Sequence, residues 1–522
     1  MDIFKTANGS VRGHRPVPDI VSVLGIPYAA APFGANRFRE PRPAPSWTGV
    51  RDCGGFGPVS PQSAELPGTP VWAPGDEDIL TVNVWAPDSA GPGRGPLPVL
   101  VWVHGGAYTF GSSAEPNYDG TVLARAGLVV VTFNYRLGFE GFGHIPDADG
   151  DFPDNRGLLD QVAALRWVRE NIAAFGGDPE NVTVAGQSSG AASISCLMVM
   201  EQARGLFRRA IAHSVVSTCY SPDIAAATTR QIAAAAGCAA TADGLLGTTP
   251  QALVRASDQV VADCRANPDD AGTRQYDPVL YAPVLDGDVL PVDPLTGVAA
   301  GAARDVDLLV CHTTEEYWLL DAVGSSAKVD SAERLAAFAR DFRLPDGLVD
   351  GYRALLPDAP VLDVYLAIFG DLVFGEYTNR FAEQHARGGG RAFVSRFARR
   401  RLGPDGVVRA WHCADVPFAF GTLDNEDLSF LIGGPPNAAD HVLSERMVRA
   451  WADFAASGDP GWPPLEHSTA PAPAGLVRVW NTDDGLPESQ SQSQGQGQGQ
   501  GQGQARARRE LWSTVEFPLL RA

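Results

Sequence analysis

Two patterns alternate along the chain. Val99–Val103 (VLVWV) and Leu128–Phe133 (LVVVTF) are continuous apolar runs rich in β-branched residues, which predicts strands buried on both faces. Asn181–Ala185, Arg209–Ala212, Val306–Val310 and Ala392–Phe397 predict further strands. The stretches between them carry helical spacing instead. From Gly157 to Ile172, the residues Leu158, Val162, Leu165, Val168 and Ile172 recur three or four apart, which predicts an amphipathic helix. Strands alternating with helices predict an α/β fold, with a mostly parallel central sheet flanked by helices.

The first ~95 residues break this pattern. They are rich in Pro and Gly, and pieces such as Val21–Gly25 and Leu80–Trp85 predict a small N-terminal antiparallel sheet with loops leading into the main one. Residues 220–305 and 321–390 are helix-rich insertions, the natural source of a lid and pocket walls. Residues 489–504 are Ser-Gln and Gly-Gln repeats with no apolar side chain to bury, which predicts a disordered loop. The following ARARRELWSTV regains helical character, with Leu511 and Trp512 able to dock back, so the tract is expected to interrupt one domain spanning 1–522.

Charge removes whole classes of partner. Asp and Glu number 61 against 41 Lys and Arg, a formal charge of −20. Such a surface repels phosphate backbones and anionic lipid, so neither nucleic acid nor a membrane is an expected partner. The seven cysteines are scattered, without CxxC or zinc-ligand spacing, and read as reduced, mostly buried thiols. The N-terminus lacks the apolar core of a signal peptide, and a cytoplasmic location is expected. Oligomeric state is left open, a monomer being compatible with all of this.

The chemistry concentrates where pattern and glycines coincide. Gly186-Gln187-Ser188-Ser189-Gly190 follows the predicted strand NVTVA and precedes the helix-like AASISCLMVM. A G-x-S-x-G between strand and helix is the setting of a nucleophile elbow, where a sharp turn exposes the serine hydroxyl. His104-Gly105-Gly106-Ala107 ends the strand VLVWV, where backbone N–H groups can face a developing oxyanion. Gly106 and Ala107, with the N–H of Ser189, are the expected donors. His104 is expected to brace that loop by hydrogen bonding.

The chain resembles the type-B carboxylesterase family, an α/β-hydrolase branch that includes bacterial p-nitrobenzyl esterases and animal cholinesterases. The resemblance rests on LGIPYAAAPFGANRFREP at 24–41, SWTGVRD at 46–52, EDILTVNVW at 77–85 and HGGAYTFGS at 104–112. FNYRLGFEGF at 133–142, the long block 154–190 and AWHCADVPFAFG at 410–421 carry it further. It implies a Ser-Glu-His triad of Ser188, Glu316 and His412, in the chain order usual for α/β-hydrolases. Glu316 is favoured over Glu315 by register, although Cys311 and Tyr317 stand where the family has glycines. It also implies hydrolysis of a small-molecule carboxylic ester through an acyl-enzyme, with no metal or organic cofactor. Acyl transfer or lactonisation at the same site is the alternative within enzymes; a non-catalytic binding protein is the alternative outside them, disfavoured because the triad residues are all present.

Three departures from the family stand out. Gln187 replaces the usual Glu before the nucleophile, which predicts a preference for neutral or acidic esters over choline-like ones. Ser60 and Ile79 stand at both positions of a disulfide that family members often carry, in keeping with a reducing compartment. Cys413 stands where glycine is usual after the histidine and is expected as a small wall residue.

Overall fold

The alternation of apolar runs and helices builds one large sheet. In the computed structural model the described residues are 2–64, 70–88, 95–146, 150–403, 406–466, 476–482, 488–489 and 499–517. The sheet strands, in chain order, are β1 (His14–Val17), β2 (Ile20–Pro27), β3 (Thr81–Pro87), β4 (Leu97–Val103), β5 (Val129–Phe133), β6 (Gly177–Gln187), β7 (Arg209–His213), β8 (Asp307–Thr313), β9 (Ala392–Phe397), β10 (Leu476–Trp480) and β11 (Glu488–Ser489). Their spatial order is β11-β10-β9-β8-β7-β6-β4-β5-β3-β2-β1. The seven strands from β10 to β5 are parallel, and both margins are antiparallel.

Why the sheet is covered on both faces can be read from β4. Val99, Val101 and Val103 pack into one apolar core, while Leu100 and Trp102 pack into another on the opposite face. Side chains alternate across a strand, so an unbroken apolar run can only be stable if both faces are buried. Each such Val or Leu contributes about 1.5–3 kcal/mol by leaving water. The helix Arg156–Asn171 packs on the first core, with Leu158, Val162, Leu165 and Val168 buried. It is also tied down by a sealed ion pair, Asp160 with Arg136 at 2.7 Å. The helix Ala438–Ser457 covers the second core through Leu443, Met447, Trp451 and Phe454.

Two expectations change at the edges. The pieces around Val21 and Leu80 join the main sheet as its antiparallel margin, because β2 pairs with β3 and β3 with β5. The separate N-terminal sheet consists of Ile3–Lys5, Ser10–Arg12 and Val50–Asp52, and its second pairing is parallel. Of the Ser-Gln/Gly-Gln tract, 490–498 lie outside the described residues, whereas Gly499–Gln504 form the first turns of a helix Gly499–Trp512. That helix is anchored at its far end, where Trp512 is fully buried and its Nε1 donates to Tyr352 Oη at 2.7 Å.

The two insertions are helical as expected and converge on a third, aromatic core. Tyr276, Phe338, Phe342, Tyr365 and Phe369 pack there, and Trp512 closes it from the C-terminal side. This core lies against the ends of β7 and β8, where Tyr317 contacts Phe369 with ring centroids 4.3 Å apart.

Candidate active site

Strand β6 ends at Gln187, and the next residue turns sharply into the helix Ser189–Leu197. Ser188 has φ 58° and ψ −128°, a conformation an L-residue adopts only under constraint from its surroundings. The constraint is steric. A Cβ on Gly190 would meet the Val103 carbonyl oxygen at 2.1 Å, and one on Gly186 would meet the same atom at 2.8 Å. Only glycine lets the elbow approach β4 so closely. The Ser188 N–H donates to the His213 carbonyl at 2.9 Å, which pins the turn to the end of β7.

The loop after β4 passes directly beside the serine. A Cβ on Gly105 would lie 3.2 Å from that of Ser188. Gly106 has φ 110° and Ala107 φ 51°, and among the described residues neither N–H has a hydrogen-bond acceptor. Ser189 is the first residue of its helix, so its N–H also lacks an intrahelical acceptor. The N–H groups of Gly106 and Ala107, on the loop that passes Ser188, and that of the adjacent Ser189 are thus left without a backbone acceptor. His104 braces the loop as expected: its Nδ1 lies 2.8 Å from the Gly105 carbonyl and its ring stacks on Tyr135. Burial lowers its pKa to about 4, so it is neutral at pH 7.

The two adjacent glutamates part company. Glu316 Oε2 lies 2.6 Å from His412 Nδ1, while its Oε1 accepts from Thr313 N and Ser214 Oγ, both at 2.7 Å. Glu315 points the other way, into Arg400 at 2.7 Å and Arg409 at 2.6 Å. The structure thus brings Glu316, not Glu315, onto the histidine. His412 is buried, with the Phe374 ring tilted against its own, centroids 4.2 Å apart. Burial by itself would lower the His412 pKa, but Cys413 and Glu316 beside it raise it well above the ordinary value.

Several residues of the site escaped the sequence. Ser214, at φ 53°, is the residue just past β7, and its only sequence signal is that position beside the elbow strand. Phe374 comes from a π-helical turn, Asp371–Gly375, in the second insertion. Asp277 is half-buried, within electrostatic reach of His412, and burial pushes its carboxyl up to about 6 against the opposing pull of Tyr317. His213, Cys311 and Asp415 offer ligand atoms within 4.8 Å of one another. His213 Nδ1 is already engaged by Asp415 Oδ2 at 2.6 Å, which makes this a hydrogen-bonded pair.

A serine on a strained strand-to-helix turn, donors on the neighbouring loop and a His–Glu pair from later strand ends define a serine hydrolase of the α/β-hydrolase fold. The chain belongs to the carboxylesterase family, whose model matches residues 2–473. It is 36% identical over 456 residues to the para-nitrobenzyl esterase of Bacillus subtilis, covering 85% of this chain and 89% of that one. It is 33% identical to the phenmedipham hydrolase of Pseudarthrobacter oxydans, over 84% of this chain and 86% of the relative. Among solved structures, a carboxylesterase of Geobacillus stearothermophilus superposes with a TM-score of 0.80 at 34% identity, covering 94% of this chain and 98% of the other. The protein is a carboxylic ester hydrolase. No helix among its described residues is long and apolar enough to cross a membrane.

Proposed function

We propose that Ser188 is the nucleophile, His412 the general base and Glu316 the acid that orients it. The observation that carries this is the 2.6 Å contact of His412 Nδ1 with Glu316 Oε2, which leaves Nε2 as the proton-accepting nitrogen. Ser188 Oγ attacks the ester carbonyl carbon as its proton passes to His412 Nε2. The N–H groups of Gly106, Ala107 and Ser189 receive the carbonyl oxygen as it becomes an oxyanion. When the tetrahedral intermediate collapses, the C–O bond to the alcohol breaks and His412 returns the proton to the departing oxygen. Water, deprotonated by the same nitrogen, then attacks the acyl-enzyme and releases the acid and free Ser188.

The substrates are neutral esters, turned over in the cytoplasm by a chain that acts within one domain. Gln187 puts no charge beside the serine, which favours neutral esters over choline-like cations. A fluorophosphonate probe should label the wild type and leave Ser188→Ala unlabelled, with turnover of a neutral p-nitrophenyl ester falling about 10⁴–10⁶-fold in the variant. Labelling of the variant would overturn the assignment, and faster turnover of anionic than neutral esters in a matched panel would overturn the substrate class.

A further inference from the structure

The imidazole that must face Ser188 is held by more than Glu316. Gln187, almost fully buried, places its amide nitrogen 3.0 Å from His412 Nε2 and 3.4 Å from His412 Nδ1. A donor seated in the ring plane on the Nε2 lone pair would be remote from Nδ1, on the other side of the ring. Near-equal distances to both nitrogens place the amide over the flat face of the ring instead. The Phe374 ring, with its centroid 4.2 Å from that of His412 and tilted 34° to it, packs on the imidazole as well. The amide and the phenyl ring are too bulky to share a face at those distances, so they hold opposite faces.

The amide is itself oriented. Cys413 Sγ donates to Gln187 Oε1 at 3.4 Å, which turns the NH₂ end toward the imidazole. The backbone beneath belongs to the sheet: Gln187, His213 and Cys311 are register partners across the parallel strands β6, β7 and β8. Partners in a parallel ladder project to the same side, so these three side chains form a row at the strand ends. The histidine loop lies along that row, with His412 and Cys413 on Gln187, and Asp415 on His213 and beside Cys311.

We propose that Gln187 is a positioning residue that, with Phe374, clamps the imidazole of His412 between them and leaves its Nε2 edge open toward Ser188. The inference rests on His412 being the base. The clamp fixes the ring's rotation, which a single hydrogen bond to Glu316 does not, because the imidazole can still swing about its bond to that carboxylate. It also explains why a neutral amide serves at position 187: it restrains the ring without adding charge to it.

The test is a set of variants assayed on a neutral p-nitrophenyl ester across pH, with thermal unfolding as a check on the fold. Gln187→Ala should lower kcat about tenfold to a hundredfold with KM changed less than about twofold, as expected when a catalytic group is loosened. Gln187→Glu keeps the shape and should recover most of that kcat at high pH. It should also move the acid limb of kcat/KM upward by about one pH unit, since a carboxylate against the ring favours imidazolium. His412→Ala must abolish turnover; if it does not, the base assignment fails and the clamp with it. If His412→Ala is inactive while Gln187→Ala matches the wild type in kcat, or loses only in KM, the base stands and the clamp is overturned.

Discussion

The central sheet and the helical cover are held together by different physics. In the sheet, strands such as β4 and β5 are aliphatic and bonded edge to edge, so each residue's position follows from its register. In the cover, Tyr276, Phe338, Tyr365, Phe369 and Trp512 come from segments far apart in the chain and meet only through ring packing. The difference has a functional counterpart. The proposed nucleophile and acid stand at or just past strand ends, where ladders restrict them, while Phe374, in contact with the proposed base, and Asp277, within its electrostatic reach, come from the insertions. The sheet side sets the reacting geometry, and the cover completes the walls.

The sharpest way to break the sheet side is at neighbouring glutamates. Glu316→Gln should lower kcat by about 10⁴, because the wrong tautomer of His412 is then favoured. Glu315→Gln should leave kcat within a few fold and instead cost about 1–3 kcal/mol in a denaturant titration. That smaller loss follows because Arg400, one of its two arginine partners, is 59% exposed and its pairing is screened by solvent. Equal loss of kcat in both variants would erase the distinction between the two residues.

The cover is tested next by Trp512→Ala. Its indole is fully buried among aromatic rings, and removal should destabilise the protein by about 3–5 kcal/mol. Turnover of a small ester at 25 °C should stay within a few fold, since no residue of the proposed triad touches that ring. A loss of kcat as large as that of Glu316→Gln would mean that sheet and cover are one cooperative catalytic unit.

The smallest effect is a pH shift. His412 must be neutral to act as a base, and Cys413 and Glu316 hold its pKa above the ordinary 6.5 against the opposing effect of burial. The acid limb of kcat/KM should therefore lie above that value, and Cys413→Ala should move it to lower pH. The sign for stability is opposite: a raised histidine contributes in full below about 6.5 and loses its contribution as pH rises through the folded value. An acid limb unmoved by Cys413→Ala would remove the thiol from this balance.

Much of the site was legible because its constraints are local. Glycines flanking Ser188 mark a turn that nothing larger could make, and the unbroken apolar runs mark strands buried on both sides. Glu316 was legible only through its resemblance to a family motif, since Glu315 beside it is chemically identical. Phe374, Ser214, Asp277 and the orientation of Gln187 were not legible, because each acts through a contact with a residue 30 or more positions away in sequence. The helical start at Gly499–Gln504 was likewise hidden. Every second residue there is Gly, a poor helix former, and the anchoring contact is made further on by Trp512.

The sequence by itself determined the α/β architecture, the elbow and the glycine loop after β4, because hydrophobic periodicity and glycine sterics act over a few residues and need no distant partner. Tertiary structure decided which glutamate meets His412 and which side chains pack on its imidazole. Those outcomes depend on how strand ends and insertions are brought together, and long-range packing is the only force that sets them.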